Sequence, residues 1–299
     1  MSLLPKSRLP MRIIALPLTT VVRDPKHQSD TPRPLVYYHF QTPPPPADRK
    51  VGWVDWATGK ATQAWASFGK APEMNWKYKV YRYGERLVDR IDFEELALKG
   101  VDPSLGPHIS QLRRSTQDAK KEAEKGIVIP FVHPKSLSPS PLSHLRAILE
   151  KRTPRHKKGF WVWLLVSPLT APFMLIPIIP NLPFFFCVWR SWSHYRAYKA
   201  SEYLQSLLDN GAIVPKSSSD LDDIYVKHTP RFESDASESH DTKEESAEAK
   251  SMEVDEKILL RRDAVPPILK MFGLPETAAA DIYRAIEQAD VRLKQGIYT

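Results

Sequence analysis

The sequence predicts a mainly α-helical protein with a small N-terminal β element, a Pro-rich apolar membrane hairpin and a disordered acidic linker. Three observations carry this expectation. Phe160–Trp189 run for thirty residues without an Asp, Glu, Lys, Arg or His. Residues 220–256 hold 13 Asp and Glu against 4 Lys and Arg, a local charge of −9 inside a chain whose net charge is +8. Between and beyond these stretches, apolar residues recur at three- and four-residue spacing, the helical period.

Residues 1–50 form the first segment. The chain opens with no acid before Asp24 and four basic residues (Lys6, Arg8, Arg12, Arg23), which suits a mitochondrial import sequence, although Pro5, Pro10 and Pro17 spoil an amphipathic helix. RIIALPLTTVV and PLVYYHF read as two short strands, followed by the stiff spacer Pro43–Pro46. Residues 51–150 read as a soluble helical region. Trp53, Trp56 and Trp65 are apolar anchors suited to packing on a neighbouring helix, ERLVDRIDFEELALKG is amphipathic, and QLRRSTQDAKKEAEK (111–125) is a solvated helix. A further helix starts near Pro141–Ser143.

Residues 151–211 carry the strongest signal. A hydrocarbon core of about 30 Å takes about 20 helical residues, so thirty exceed one straight crossing. Pro168, Pro172, Pro177, Pro180 and Pro183 interrupt the run, and the last three place a turn near Pro180–Pro183 with a second helix starting there. Lys151, Arg152, Arg155, Lys157 and Lys158 form a basic collar before it, suited to anionic lipid, and Arg190, Arg196 and Lys199 follow it. Basic residues on both flanks favour a hairpin with its tip near Asn181; one span followed by an interfacial helix is the alternative. A full return crossing would leave Arg190, seven residues after Pro183, at depth where an unpaired cation is costly, so either the second leg is short and Arg190 snorkels or the hairpin is only partly inserted; no Asp or Glu occurs between Glu150 and Glu202. Asp209–Asn210–Gly211 stops the second helix. Residues 212–257 are the linker, too poor in apolar residues to offset the entropy of ordering. In residues 258–299, Ala279, Ile282, Ile286, Ala289 and Leu293 form one helical stripe, suited to a partner helix or to the protein's own core.

Chemistry-bearing motifs are missing. The single cysteine, Cys187, excludes a disulfide framework and multi-cysteine metal centres. No phosphate loop, dinucleotide fingerprint, HExxH or nucleophile elbow occurs, and the nine histidines show no metal-ligand spacing. No enzyme activity, cofactor, metal or nucleic acid is therefore expected. The candidate functional residues are those of the apolar segment: Arg190, His194, Asn181, Pro177, Pro180 and Pro183, with the collar facing lipid.

MRIIALPLTT from Met11, GERLVDRIDFEELALKGVDPSL, and SLSPSPLSHLRAILEKRTPRHKKGFWVWLLVSPLTAPFMLIPIIPNLPFFFCVWRSWSHYRAYKASEYLQ together resemble the fungal family of mitochondrial potassium–proton exchange-related proteins. The resemblance runs from about Met11 to Asp209, with a weaker echo from Ile258. It implies a mitochondrial inner-membrane protein contributing to potassium–proton exchange and matrix volume control, with partners in a cation-exchange complex. It brings no assigned catalytic residues. The missing carboxylate favours an accessory or assembly subunit over a stand-alone exchanger, with a peripheral scaffold as the other reading.

Overall fold

The computed structural model describes residues 11–20, 34–45, 52–109, 128–135, 141–170, 172, 181–228 and 258–295. They fall into two units, one comprising Met1–Pro43 with Phe93–Thr299 and the other Pro44–Asp92.

The larger unit is built on a four-stranded sheet. Strand β1 (Arg12–Pro17) pairs antiparallel with β2 (Val36–Gln41), as the two N-terminal apolar runs predict. The smaller unit holds α1 (Trp53–Gly69) and α2 (Trp76–Asp89), and the chain re-enters the larger unit at α3 (Phe93–Gly100). Strand β3 (Ile129–His133) lies parallel to β1, and β4 (Ile213–Ser217) lies parallel to β3, giving the order β2-β1-β3-β4. Parallel neighbours require a crossover. Here it is a pair of long helices, α4 (Pro141–Leu169) and α5 (Leu182–Asp209), joining β3 to β4. After β4 come α6 (Ser219–His228), a 3-10 turn at Arg262–Ala264, α7 (Val265–Phe272) and α8 (Glu276–Gln295).

Both faces of the sheet are covered. Ile13 and Ala15 of β1 point into a core shared with Phe131, Leu145, Leu149 and Leu204, while Ile14 and Leu16 point into a second core with Leu221, Ile268 and Ile282. The unbroken run Ile13–Leu16 is what a central strand buried on both faces needs; an edge strand would alternate. β4, which carries Pro215, occupies an edge, where a missing N–H is tolerated. The stripe Ile282, Ile286, Ala289 and Leu293 of α8 is buried, the first three in the second core, so it serves this chain's own packing.

The smaller unit is held differently. Neither helix buries a residue, and the contact is aromatic: Trp65 lies 5.4 Å from Tyr81 between ring centroids, and its Nε1 donates to Glu85 at 3.0 Å. A Cβ at Gly84 would stand 2.3 Å from the Trp65 ring, so the glycine gives the indole its seat. Trp65 packs as the sequence suggests, whereas Trp53 is 81% exposed.

Two expectations need correction. The membrane-crossing hairpin, and the alternative single span, are overturned: among the described residues no helix is long and apolar enough to cross a membrane. The helical hairpin exists, but each arm carries only part of the apolar run. α4 contributes Phe160–Leu169 and α5 contributes Leu182–Trp189, about 15 Å and 12 Å of helix, each near half a hydrocarbon core. The remaining length of both arms is polar or packs against the sheet. The acidic linker also begins later than its composition suggests, because residues 213–228 form β4 and α6, with Leu221 and Tyr225 buried. Residues 229–257, the solvated helix expected over 111–125, and Pro177 and Pro180 lie outside the described residues.

Candidate functional site

The start of α5 is locally determined. Asn181 caps it, its side chain accepting from Phe184 N at 3.0 Å and donating to the Thr170 carbonyl at 2.8 Å. Pro183 sits in the first turn, where its missing N–H has no partner to lose. Asn181 and Pro183 are therefore residues that close and start the hairpin. Gly211, with φ +67°, follows the other end, as the Asp-Asn-Gly stop predicts.

Along the hairpin, the core-facing stripe changes character. On α4 it runs Leu145, Leu149, Arg152, His156; on α5, from the opposite end, it runs Leu208, Leu204, Ser201, Ala197, His194, Ser191, Cys187. Helical spacing puts each set on one face, and both faces turn from leucine to polar residues away from the C-terminal end of α5. Small side chains let the helices approach closely. A Cβ on Gly159 would stand 2.9 Å from three atoms of the His194 imidazole.

Into this polar level α3 inserts Glu94 and Glu95. The two Arg190 guanidinium nitrogens bond both oxygens of Glu95, the second at 3.0 Å, and Ser193 Oγ donates to Oε1 at 3.3 Å. Glu94 is bridged to Arg152 and lies 3.7 Å from Arg292 of α8. Beside Glu95, His156 and His194 face each other with their Nδ1 atoms 3.2 Å apart and ring centroids 5.5 Å apart. Glu95, His156 and His194 are all buried, and one ligand-capable atom from each lies within 4.8 Å of the others.

The electrostatics follow from this packing. Burial lowers the His156 imidazole to about 4, with the His194 ring and Arg152 and Arg155 adding to the shift against the attraction of Glu95. His194 is likewise lowered by burial and by Arg190. Burial alone would raise the Glu95 carboxyl, but the hydrogen bonds and charge of Arg190 outweigh it and hold the group below its ordinary value. At neutral pH the cluster is thus an ion pair beside two neutral imidazoles. His156 Nε2 is buried without a hydrogen-bond partner.

Arg190 and His194, singled out in the sequence, therefore meet at one site, and Arg152 joins them. Arg152 is buried in an ion pair with Glu94, whereas Lys151, Arg155, Lys157 and Lys158 are exposed. The counter-charge for Arg190 comes from α3, 95 residues earlier in the chain. Its signal is present but faint: Glu95 stands three residues before the core residue Leu98, which puts a carboxylate on the buried face of a short helix. His156 follows Leu149 by seven residues on a similar stripe.

Fold and site together define an α/β protein in which a long helical hairpin crosses over the sheet and its middle is pinned by buried ion pairs. The family follows from comparison with known sequences. The chain belongs to the mitochondrial K+–H+ exchange-related family, whose model matches residues 12–208. That range contains three of the four strands, all but the last residue of the hairpin and every member of the buried cluster except Arg292. An uncharacterized protein of Saccharomyces cerevisiae is 26% identical over 170 residues, 52% of each chain, so the present chain spans about half the length of that relative. An uncharacterized protein of Schizosaccharomyces pombe is 26% identical over 214 residues, covering 71% of this chain and 81% of its own. No solved structure gives a significant match.

Proposed function

We propose that the protein serves mitochondrial potassium–proton exchange as an accessory or assembly subunit at the inner membrane, acting by binding rather than by catalysis or ion conduction. The observation that carries this reading is the state of the buried carboxylates. An ion path needs acidic groups free to exchange cations and protons. In the metal-free protein Glu94 and Glu95 are instead held by Arg152 and Arg190, cations of the chain itself that join α3 to the hairpin, so neither is open to a passing potassium ion or proton.

The hairpin's far end supplies a binding surface. Trp161, Leu165 and Leu169 of α4 and Phe185 and Val188 of α5 are exposed, with Leu169 at 74%. Arg155, Lys157 and Lys158 lie just below on α4 and are also exposed. Apolar and aromatic side chains beside cations suit shallow attachment to an anionic membrane surface, or a partner seated there, without a crossing.

Reconstitution separates the roles. The purified chain in potassium-loaded vesicles with a pH dye is expected to give no exchange, while mitochondria lacking it show slowed potassium-driven swelling that the reintroduced gene restores. Exchange by the protein alone would overturn the accessory role. Normal swelling without it would overturn any part in exchange. Leu165→Asp combined with Leu169→Asp is expected to reduce flotation with cardiolipin vesicles by about tenfold; unchanged flotation would remove the hairpin end as the attachment surface.

A further inference from the structure

We propose that Glu95, His156 and His194 form a binding site for a divalent transition metal of the zinc class, with Arg190 as the resident cation that competes for it. Three helices supply the ligands. α3 brings the carboxylate, α4 and α5 one imidazole each, and the sheet on which they pack fixes all three.

The spacing fits one ion. Two imidazole nitrogens bound tetrahedrally to zinc at 2.0–2.1 Å stand about 3.3 Å apart; the facing Nδ1 atoms are 3.2 Å apart. A hydrogen bond between the rings has the same length, but it leaves nitrogen capacity unused. Two neutral imidazoles carry two protons and two lone pairs, and the contact consumes one of each. Whichever ring donates, His156 Nε2 is left buried and unpartnered on a side chain 1% exposed. An ion between the facing Nδ1 atoms takes the lone pair of both rings, where the hydrogen bond uses only one, and His156 Nε2 stays unpartnered in either state.

The donor set chooses the class of metal. Two imidazoles and a carboxylate suit zinc and its first-row neighbours, whereas potassium, magnesium and calcium take oxygen. Ser193 Oγ, already 3.3 Å from Glu95 Oε1, or a water is available to complete the shell. The charge balance assigns Arg190 its part. The ion pair is neutral, and a dication added beside it would leave buried positive charge. Arg190 is the member with an exit, its side chain 18% exposed against 6% for Glu95. Metal and guanidinium therefore alternate on Glu95. Gly159 is the structural counterpart, since any larger residue would push His194 from its place.

The test uses the full-length protein, freed of metal by chelation, and titrates cobalt(II) and then zinc(II). One equivalent of cobalt is expected to bind with the visible ligand-field bands of a four-coordinate site, zinc to displace it, and zinc to raise the melting temperature in a concentration-dependent way. X-ray absorption of the loaded wild-type protein is expected to show two imidazoles in the shell. No saturable uptake, or a shell without imidazole, overturns the site, and neither reading depends on a variant folding. His156→Gln and His194→Gln are each expected to weaken binding by about tenfold or more; undiminished binding in the double variant also overturns it. Arg190→Gln is expected to tighten binding, and unchanged affinity would strike out the competition.

Discussion

The protein contains two helix pairs rich in tryptophan, and they are stabilised in opposite ways. α1 and α2 bury no residue and meet through Trp65, Phe68, Trp76 and Tyr81. α4 and α5 bury Leu145, Leu149, Leu204 and Leu207 completely against the sheet and, one level further along, enclose Glu95, His156 and His194. Aromatic content does not separate the pairs. The difference is a third layer: a helix pair alone has one shared face, whereas the hairpin leaning on a sheet removes a second face from water. Even within the hairpin the contrast recurs, because its far end, beyond the sheet, exposes Leu165 and Leu169.

This contrast can be broken most severely at Glu95. Glu95→Ala leaves Arg190 half-buried without its carboxylate and is expected to cost about 3–5 kcal/mol in denaturant unfolding. Trp65→Ala, on the exposed pair, is expected to cost about 1 kcal/mol and to raise hydrogen exchange only within residues 53–89. Comparable losses at the two positions would dissolve the distinction between them.

The next effect is pH. His156 in the folded protein titrates at about 4, while an unfolded-chain imidazole titrates near 6.5. The unfolded state therefore binds more protons in this window, and stability falls as pH drops from 6.5 towards 4, by on the order of 3 kcal/mol. His194, with its lowered value, and Glu95, held low by Arg190, act in the same direction. The facing charges are Glu95 on α3, Arg190 on α5, and Arg152 and Arg155 on α4 itself. Urea unfolding of metal-free protein at pH 7 and pH 5 measures the effect, and His156→Gln should flatten the slope. A steeper or unchanged slope in that variant would count against a buried neutral imidazole.

Two glycines under aromatic rings divide the same way, and the smallest effect of all is at Gly84. Gly159→Ala forces the enclosed His194 ring to shift in a packed interior and is expected to cost about 1–3 kcal/mol. Gly84→Ala meets the Trp65 ring more closely, yet that ring is partly exposed and free to turn outward, so a loss below about 1 kcal/mol is expected, with a red-shifted tryptophan emission.

Much of this architecture is legible in the residues. The strands at Arg12–Pro17 and Val36–Gln41, the start of α4 at Pro141, the break before Leu182 and the stop at Gly211 each rest on local chemistry: β-branched runs, proline, a capping Asn and a glycine with positive φ. β3 and β4 escape notice because each is five residues, carries a proline and pairs with partners at least 80 residues away. The arms of the hairpin are hidden from the sequence for a related reason. A thirty-residue apolar run looks the same to hydropathy whether it forms one span or two half-length arms, and the prolines that divide it do not set where the arms pack.

The cluster on the hairpin shows the boundary most clearly. From the residues alone, Arg190 and His194 fall on one helix in a segment that holds no acid from 151 to 201, since both follow from one segment's composition and period. Only the tertiary structure decided that Glu95 answers Arg190 and that His156 faces His194. Those partners sit 95 and 38 residues away on separate helices. Helical periodicity reports which face a residue occupies, while the element that covers that face is chosen by how the sheet and its crossover assemble.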